Sequence, residues 1–140
     1  MELNEGLGFV RARNHGVLTT IRANGRPQLS NILYVPGDGD TYRISLTDSR
    51  AKTVNMRRDP RVSLYVPGDN FFQYVVLEGT AELSPVAADP HDDTVEQLIA
   101  YYRAGNGEHP DWDDYRAVMV ADGRLICTVH PERAYGMVAT

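Results

Sequence analysis

A cluster of basic residues near the middle of the chain is the feature with the clearest chemical use. Of the 14 lysine and arginine residues only Lys52 is a lysine, and it follows Arg50 by two positions. The segment from Arg43 to Arg61 holds six basic and two acidic residues, in a chain of formal net charge −5. A local cationic cluster on an acidic protein indicates one specific anion, because a general polyanion partner needs a broadly basic surface.

The spacing within this cluster fits a phosphate group. Arg50 can hold a phosphate with its planar guanidinium, and Lys52 adds a compact charge. Asn55 follows Lys52 by three positions, on the same face of the predicted helix. Asp48 or Ser49 is the predicted N-cap, and a helix N-terminus attracts anions through its free N–H groups and its dipole. The alternative interpretation is an ordinary basic helix that faces water.

A polar run interrupts one of the predicted strands. Gln28-Leu29-Ser30-Asn31 stands where apolar alternation is expected, and such residues in a barrel wall can hydrogen-bond a flat heteroaromatic ring. A strand edge that faces water explains the run equally well. The aromatic segment Phe71–Tyr74 begins a later strand, and its side chains can pack on a ring cofactor, in the core or at an interface.

Several other kinds of site are not expected. The four histidines lack metal-ligand spacing, and the acids near His91 and His109 are typical of helix starts. The sequence has no glycine pattern of a nucleophile elbow or of a dinucleotide or triphosphate loop. Its net negative charge argues against nucleic acid. We therefore predict no metal site and no nucleic-acid partner.

Length and composition predict a single domain, residues 1–140, in the cytoplasm. A chain of 140 residues with 42% hydrophobic residues can form a core. No run of about 18 apolar residues occurs, so no membrane span is expected. The segment Met1–Arg13 lacks the basic start and apolar stretch of a signal peptide. Cys127, as the single cysteine, forms no internal disulfide, which fits a reducing compartment.

Turn-forming residues divide the chain into short strands with two helices inserted late. Asn24-Gly25 predicts a two-residue hairpin, and Asp59-Pro60 predicts the end of a helix. The predicted helices are Met1–Asn14, Arg50–Arg58, Asp92–Ala104 and Trp112–Ala121. The predicted strands are Gly16–Ala23, Arg26–Val35, Thr41–Leu46, Arg61–Val66, Phe72–Leu83, Arg124–His130 and, as a seventh, Arg133–Val138. This pattern favours a mainly β fold of the α+β class: a six- to seven-stranded antiparallel β-barrel, whose closure removes exposed sheet edges.

Several motifs resemble the pyridoxamine 5′-phosphate oxidase-like split β-barrel superfamily. Within it, the chain is most similar to the actinobacterial branch that binds the deazaflavin coenzyme F420. The similarity covers nearly the whole chain; its most specific part is the Arg-Ala-Lys segment with the basic helix after it, whereas the strand motifs are shared with FMN-binding relatives. The motifs are Gly16–Ile21 with Gly25–Asn31, Ser49–Thr53 with Arg57–Arg61, Glu78–Ala81 and, for one subgroup of the branch, Asp111–Arg116.

The resemblance implies a homodimer that binds F420 in a groove where two barrels meet. Arg50 and Lys52 would hold the cofactor phosphate, helped by Asn55. Residues of two strands would line the ring system, and two aromatic residues would come from the second subunit. The implied cofactor-binding residues are Gln28, Leu29, Ser30, Asn31, Ser45, Leu46, Thr47, Arg50, Lys52 and Asn55, with Phe72 and Tyr74 from the second subunit.

The implied activity is that of an F420-dependent oxidoreductase, which passes a hydride from the reduced deazaflavin to a small electron-poor organic substrate. Arg57, Arg58 or Arg61 would contact the carboxylates of the F420 tail, and the sequence identifies no catalytic acid or base. A second hypothesis is an FMN-dependent oxidase or flavin reductase of the same fold, since both cofactors carry a phosphate after a ribityl chain. A third is a carrier of a cofactor or haem without turnover.

The C-terminal region differs from that of authentic pyridoxamine 5′-phosphate oxidases. Those enzymes are longer and bind their substrate with an arginine-leucine-serine-proline-type segment. This chain has Pro131–Gly136 in that region instead. Oxidation of vitamin B6 is therefore not expected.

Overall fold

Seven antiparallel strands form one curled sheet in the computed structural model, which describes residues 1–139. The sheet order is β2-β1-β5-β6-β7-β4-β3. The edge strands β2 and β3 are consecutive in the chain with only Tyr34 between them, so the sheet curls into a half-barrel. The strands are β1 (His15–Ile21), β2 (Pro27–Leu33), β3 (Val35–Pro36), β4 (Tyr42–Thr47), β5 (Arg61–Pro67), β6 (Tyr74–Leu83) and β7 (Arg124–Met137).

Four helices accompany the sheet and create two apolar cores. The main core fills the curl and includes side chains from α1, while a smaller one lies beneath α3 and α4, which pack on β7. Asp92 caps α3, because its side chain accepts a hydrogen bond from the Val95 N–H. The helices are α1 (Leu3–Arg11), α2 (Ala51–Arg58), α3 (Asp93–Asn106) and α4 (Trp112–Ala121).

The predicted fold class is confirmed, and three local predictions need correction. The strand predicted over Arg26–Val35 is broken at Tyr34, whose ring is buried and whose N–H bonds to the carbonyl of Asn14. The two strands predicted after residue 124 are one strand, β7. The N-cap of α2 is Arg50, without a side-chain cap hydrogen bond, and not Asp48 or Ser49. Asp48 instead forms an ion pair with Arg57, on the last turn of the helix.

A β-bulge allows β7 to continue past the point where a break was predicted. Glu78 pairs with Arg133 and Gly79 pairs with Pro131, so Glu132 is the extra residue. Before the bulge, odd-numbered residues of β7 such as Cys127 face the main core; after it, Ala134 packs against that core. The extra residue therefore shifts the core-facing positions of β7 from odd to even residue numbers.

Gly79 of β6 lies directly against the backbone of β7. A Cβ added there would lie 2.0 Å from the backbone oxygen of His130, whereas one added at the exposed Gly8 of α1 would meet no atom within 4 Å. Gly79→Ala should lower the free energy of unfolding by about 3 kcal/mol, as overpacking against backbone does. Gly8→Ala should raise it by about 0.5–1 kcal/mol through helix propensity. Urea unfolding of both variants tests this, and equal stabilities would contradict the described register.

Candidate functional site

A polar cleft of about 340 Å³ opens between β2, β4 and the first turn of α2. The first residue of β7 completes its wall, because β7 pairs with β4 and places Arg124 opposite Thr47. Leu46 and Ala51 provide apolar surface, and the other lining groups are polar or charged. The lining residues are Gln28, Ser30, Ser45, Leu46, Thr47, Arg50, Ala51, Lys52 and Arg124.

Strand alternation decides which of the predicted residues reach the cleft. Successive side chains of a strand point to opposite faces, so Gln28 and Ser30 of β2 share one face while Leu29 and Asn31 share the other. Leu29 is 62% exposed, and Asn31 is also exposed outside the cleft. The predicted polar run is therefore split between two surfaces of the sheet.

Three cations share the cleft without an acidic partner. Within residues 1–139, no carboxylate lies within 4 Å of the charged groups of Arg50, Lys52 or Arg124. Burial, followed by the charges of Arg50 and Arg124, lowers the pKa of Lys52 from 10.5. The arrangement concentrates positive charge where an anion would relieve it.

The hydrogen bonds of these cations leave donors available. Lys52 Nζ donates to Ser30 Oγ at 3.3 Å, and Arg124 Nη1 lies 3.5 Å from Ser45 Oγ. The Nε of Arg124 is buried and has no acceptor among the described residues. A buried donor without a partner is costly, so an acceptor from a ligand or water is expected beside it.

The other three basic residues of the helix and its end are already engaged within the chain. Arg57 pairs with Asp48, and Arg58 donates to the backbone oxygen of Ile21. Arg61 donates to Asp59 at 3.0 and 2.8 Å and lowers the pKa of that carboxyl to about 2. The cationic cluster seen in the sequence therefore divides into paired surface residues and unpaired cleft residues.

Asn55 lies behind the cleft wall. Its side chain is buried, and its Nδ2 donates to Gln28 Oε1 at 2.8 Å and to Thr20 Oγ1 at 3.1 Å. Because Asn55 contacts Gln28 rather than the open cleft, its position supports the wall. Its predicted role toward a phosphate stays a prediction.

The predicted aromatic residues lie outside the cleft of their own chain. Phe71 and Phe72 are 89% and 69% exposed in the loop before β6, and Tyr74 stacks on Tyr65 with ring centroids 5.7 Å apart. Their predicted contribution from a second subunit stays a prediction, since the structure describes one chain.

Two lining residues were missed by the sequence analysis. Arg124 lies 72 positions after Lys52 and joins the cleft only through the pairing of β7 with β4. No local motif marks it, although the strand predicted to begin there was correct. Ala51 is part of the Arg-Ala-Lys segment and contributes a small side chain beside the two cations.

An apolar groove of about 440 Å³ lies on the outer face of the sheet. Leu29 and Tyr135 border it and are both substantially exposed, as is the neighbouring Met137. Exposed apolar patches of this kind are typical of interaction surfaces. The lining residues are Val17, Thr19, Leu29, Ser63, Tyr65, Val76 and Tyr135.

The curled seven-stranded sheet with four helices defines a split-barrel protein of the α+β class. The chain belongs to the pyridoxamine 5′-phosphate oxidase family, whose family model matches residues 5–136. This confirms the resemblance inferred from the sequence motifs.

Solved structures share the fold over most of the chain. An F420 reductase is 23% identical, with a TM-score of 0.69, and the match covers 91% of this chain and 94% of that one. A conserved hypothetical protein from Mycobacterium tuberculosis is 26% identical, with a TM-score of 0.71 and coverage of 96% and 82%. A heme binding protein from Mycobacterium smegmatis is 20% identical, with a TM-score of 0.62 and coverage of 93% and 51%.

Two kinds of feature do not occur in the described part of the chain. Across residues 1–139, histidine, cysteine, aspartate and glutamate side chains form no group of three suited to a metal ion. No helix in the same range combines the length and apolarity needed to cross a membrane.

The lowered pKa of Lys52 predicts a pH-dependent effect on stability. Folding disfavours its charged form, so Lys52→Met should unfold at the same or higher urea concentration at neutral pH. Raising the pH through the lowered pKa toward 10.5 relieves this penalty in the unaltered protein, so the advantage of the variant should shrink there. Arg61→Met is the control, because that residue is paired with Asp59. A constant difference between Lys52→Met and the unaltered protein from pH 7 to 10.5 would contradict the prediction.

Proposed function

We propose that the protein is an F420-dependent oxidoreductase that transfers a hydride between the reduced deazaflavin and a small electron-poor organic substrate. The observation that carries the proposal is the set of three cations, Arg50, Lys52 and Arg124, that line the cleft with no carboxylate partner among residues 1–139. The fold that this chain shares with an F420 reductase supports it.

The residues of the cleft fit a phosphorylated ring cofactor. Arg50, Lys52 and Arg124 would hold the phosphate, and the partnerless Nε of Arg124 offers a further donor. Gln28 and Ser30 would contact the edge of the ring system. Leu46, Thr47 and Ala51 would provide the remaining contacts along the wall.

The bound deazaflavin would supply the hydride chemistry. The chain would bind the phosphate, orient the ring and exclude water from its face. None of the nine lining residues is a carboxylate, an imidazole or a phenol, so the cleft stabilises negative charge and offers no conventional general base. A residue from a second subunit, such as Tyr74, or a water molecule would donate the accompanying proton.

Binding tests the cofactor directly. Lys52→Met should weaken F420 binding by about 1.5–3 kcal/mol, because a charge-assisted hydrogen bond is lost. Fluorescence titration of F420 measures this, with Arg103→Met as the control, because Arg103 pairs with Glu108 outside the cleft. Unchanged F420 affinity in Lys52→Met would contradict the placement of the cofactor phosphate in this cleft.

An FMN-dependent enzyme is the alternative in the same class. The match to the pyridoxamine 5′-phosphate oxidase family favours it. Arg50 and Lys52 do not distinguish the two cofactors, since both present a phosphate after a ribityl chain. Parallel titrations with F420 and FMN decide, and tight FMN binding without F420 binding would reverse the assignment.

A carrier without turnover is the alternative from a different class. The fold shared with a heme binding protein favours it. Incubation of the protein with reduced F420 and a panel of enones, nitroaromatics and quinones separates the two roles. Consumption of reduced F420 supports an enzyme, whereas binding without consumption supports a carrier. Both roles fit the cytoplasm, as does the unpaired, buried thiol of Cys127.

The same proposal includes a homodimer formed through the apolar outer groove. Leu29, Tyr65 and Tyr135 would be covered by a second copy, whose loop would bring Phe72 and Tyr74 toward the cleft. An interface of this kind would remove exposed apolar surface from water.

A single charged residue introduced into the apolar groove tests the proposed homodimer. Leu29→Asp should convert the dimer to a monomer, because a carboxylate would be buried in an apolar contact. Val118→Asp is the control, since Val118 is an exposed apolar residue of α4 outside the groove. Light scattering at several concentrations measures the mass, and a monomeric unaltered protein would contradict the proposal.

A further inference from the structure

Three side chains form a hydrogen-bonded relay from the outer surface of α2 to the cleft. Arg58 Nη2 lies 3.4 Å from Asn55 Oδ1, and the same group donates to the backbone oxygen of Ile21. Asn55 Nδ2 in turn donates to Gln28 Oε1 at 2.8 Å. Asn55 is buried, whereas Gln28 lines the cleft. A charged group outside the cleft is thereby connected to a neutral amide on its wall.

Arg58 determines which way the side-chain amides of Asn55 and Gln28 are turned. A guanidinium has only hydrogens to offer, so the oxygen of Asn55 must face Arg58 and its nitrogen must face Gln28. That nitrogen requires an acceptor, so Gln28 turns its oxygen inward and leaves Nε2 toward the cleft. Thr20 does not affect the choice, because its hydroxyl can donate or accept. Within residues 1–139, Gln28 Nε2 makes no hydrogen bond.

The hydroxyl groups of Ser30 and Ser45 also accept hydrogen bonds from cations, which leaves their own hydrogens available to the cleft. Lys52 has only hydrogens on Nζ, so Ser30 Oγ accepts from it and keeps its own hydrogen for the cleft. Arg124 approaches Ser45 in the same way, at 3.5 Å. Together with the three cations, these groups give the cleft wall several donors, and the side-chain oxygens of Gln28, Ser30 and Ser45 each already have one donor facing them.

We propose that Arg58, acting through Asn55, holds Gln28 as a donor and so selects ligands whose ring edge consists of acceptors. This rests on the proposed function, in which the cleft holds a phosphorylated ring cofactor. A ring nitrogen without hydrogen beside a carbonyl oxygen provides such an edge, as in flavins and deazaflavins. A ring edge with an exocyclic amino group, as in adenine, would place that donor against the donor of Gln28, and no hydrogen bond would form between them. Arg58 and Asn55 are positioning residues, and Gln28 is the group that touches the ligand.

Asn55→Asp reverses the relay with almost no change in shape. The carboxylate accepts from both Arg58 and Gln28, so Gln28 turns its nitrogen inward and presents an oxygen to the cleft. Affinity for the ring ligand, F420 or FMN, should fall about tenfold more than affinity for ribose 5-phosphate. Ribose 5-phosphate reports the effect of the added negative charge alone, since it carries the phosphate without the ring.

A double-mutant cycle isolates the role of Gln28. In a Gln28→Leu background, Asn55→Asp should lower the affinities of the ring ligand and of ribose 5-phosphate equally, because no amide remains to be turned. Arg58→Met and Arg58→Lys test the relay from its exposed end, and in the Gln28→Leu background their effect should disappear, which separates the relay from a contact of Arg58 with the F420 tail. Met releases the orientation of Asn55 and should cost the ring ligand a few-fold in affinity, whereas Lys retains a donor-only group and should restore it.

The outcomes separate this inference from the proposal on which it rests. Equal losses for the ring ligand and ribose 5-phosphate in Asn55→Asp overturn the relay and leave the cofactor assignment standing. The relay is also overturned if Arg58→Met has no effect, or if the difference between the two ligands persists in Gln28→Leu. Absence of binding of both F420 and FMN to the unaltered protein overturns the cofactor assignment and the relay together.

Discussion

Mutual repulsion among Arg50, Lys52 and Arg124 is the constraint around which the cleft is organised. The three groups come from α2 and from β7, and the fold holds them together without a carboxylate among the described residues near them. The pairing of β4 with β7 and the docking of α2 must supply the free energy that keeps them in place. A bound anion turns this repulsion into attraction, which is the simplest physical reason for leaving the charges unpaired.

The sheet provides the rest of the cleft through one geometric property, the alternation of side chains. In β4, Tyr42, Ile44 and Leu46 are buried, while Ser45 and Thr47 are on the opposite face and line the cleft. In β2 the same alternation separates the cleft-facing Gln28 and Ser30 from Leu29, which belongs to the apolar outer groove. One strand thus contributes side chains to two surfaces, the cleft on one face of the sheet and the apolar groove on the other.

The sequence was sufficient for the fold class and for placing Arg50 and Lys52 close together, because both depend on local signals. Turn residues separated the strands, and Arg50 and Lys52 are neighbours in the chain. The position of Arg124 in the cleft could not be predicted from local signals, because only the pairing of the distant strands β4 and β7 brings it there. The N-cap of α2 was wrong for a different reason: Asp48 satisfies an arginine at the other end of the helix. Local propensity did not reveal that competing ion pair.

The bulge in β7 gives this strand one position at which its length can change. Because Glu132 shifts the alternation, Cys127 and Ala134 both reach the main core although one is odd-numbered and the other even-numbered. Loss of Glu132 would leave a regular ladder in which Gly79 still pairs with Pro131 and Leu77 with Ala134, so Ala134 would still reach the main core. A change of one residue in β7 should therefore be tolerated at the bulge, whereas loss of a residue from the regular ladder on either side would turn the side chains beyond it to the opposite face.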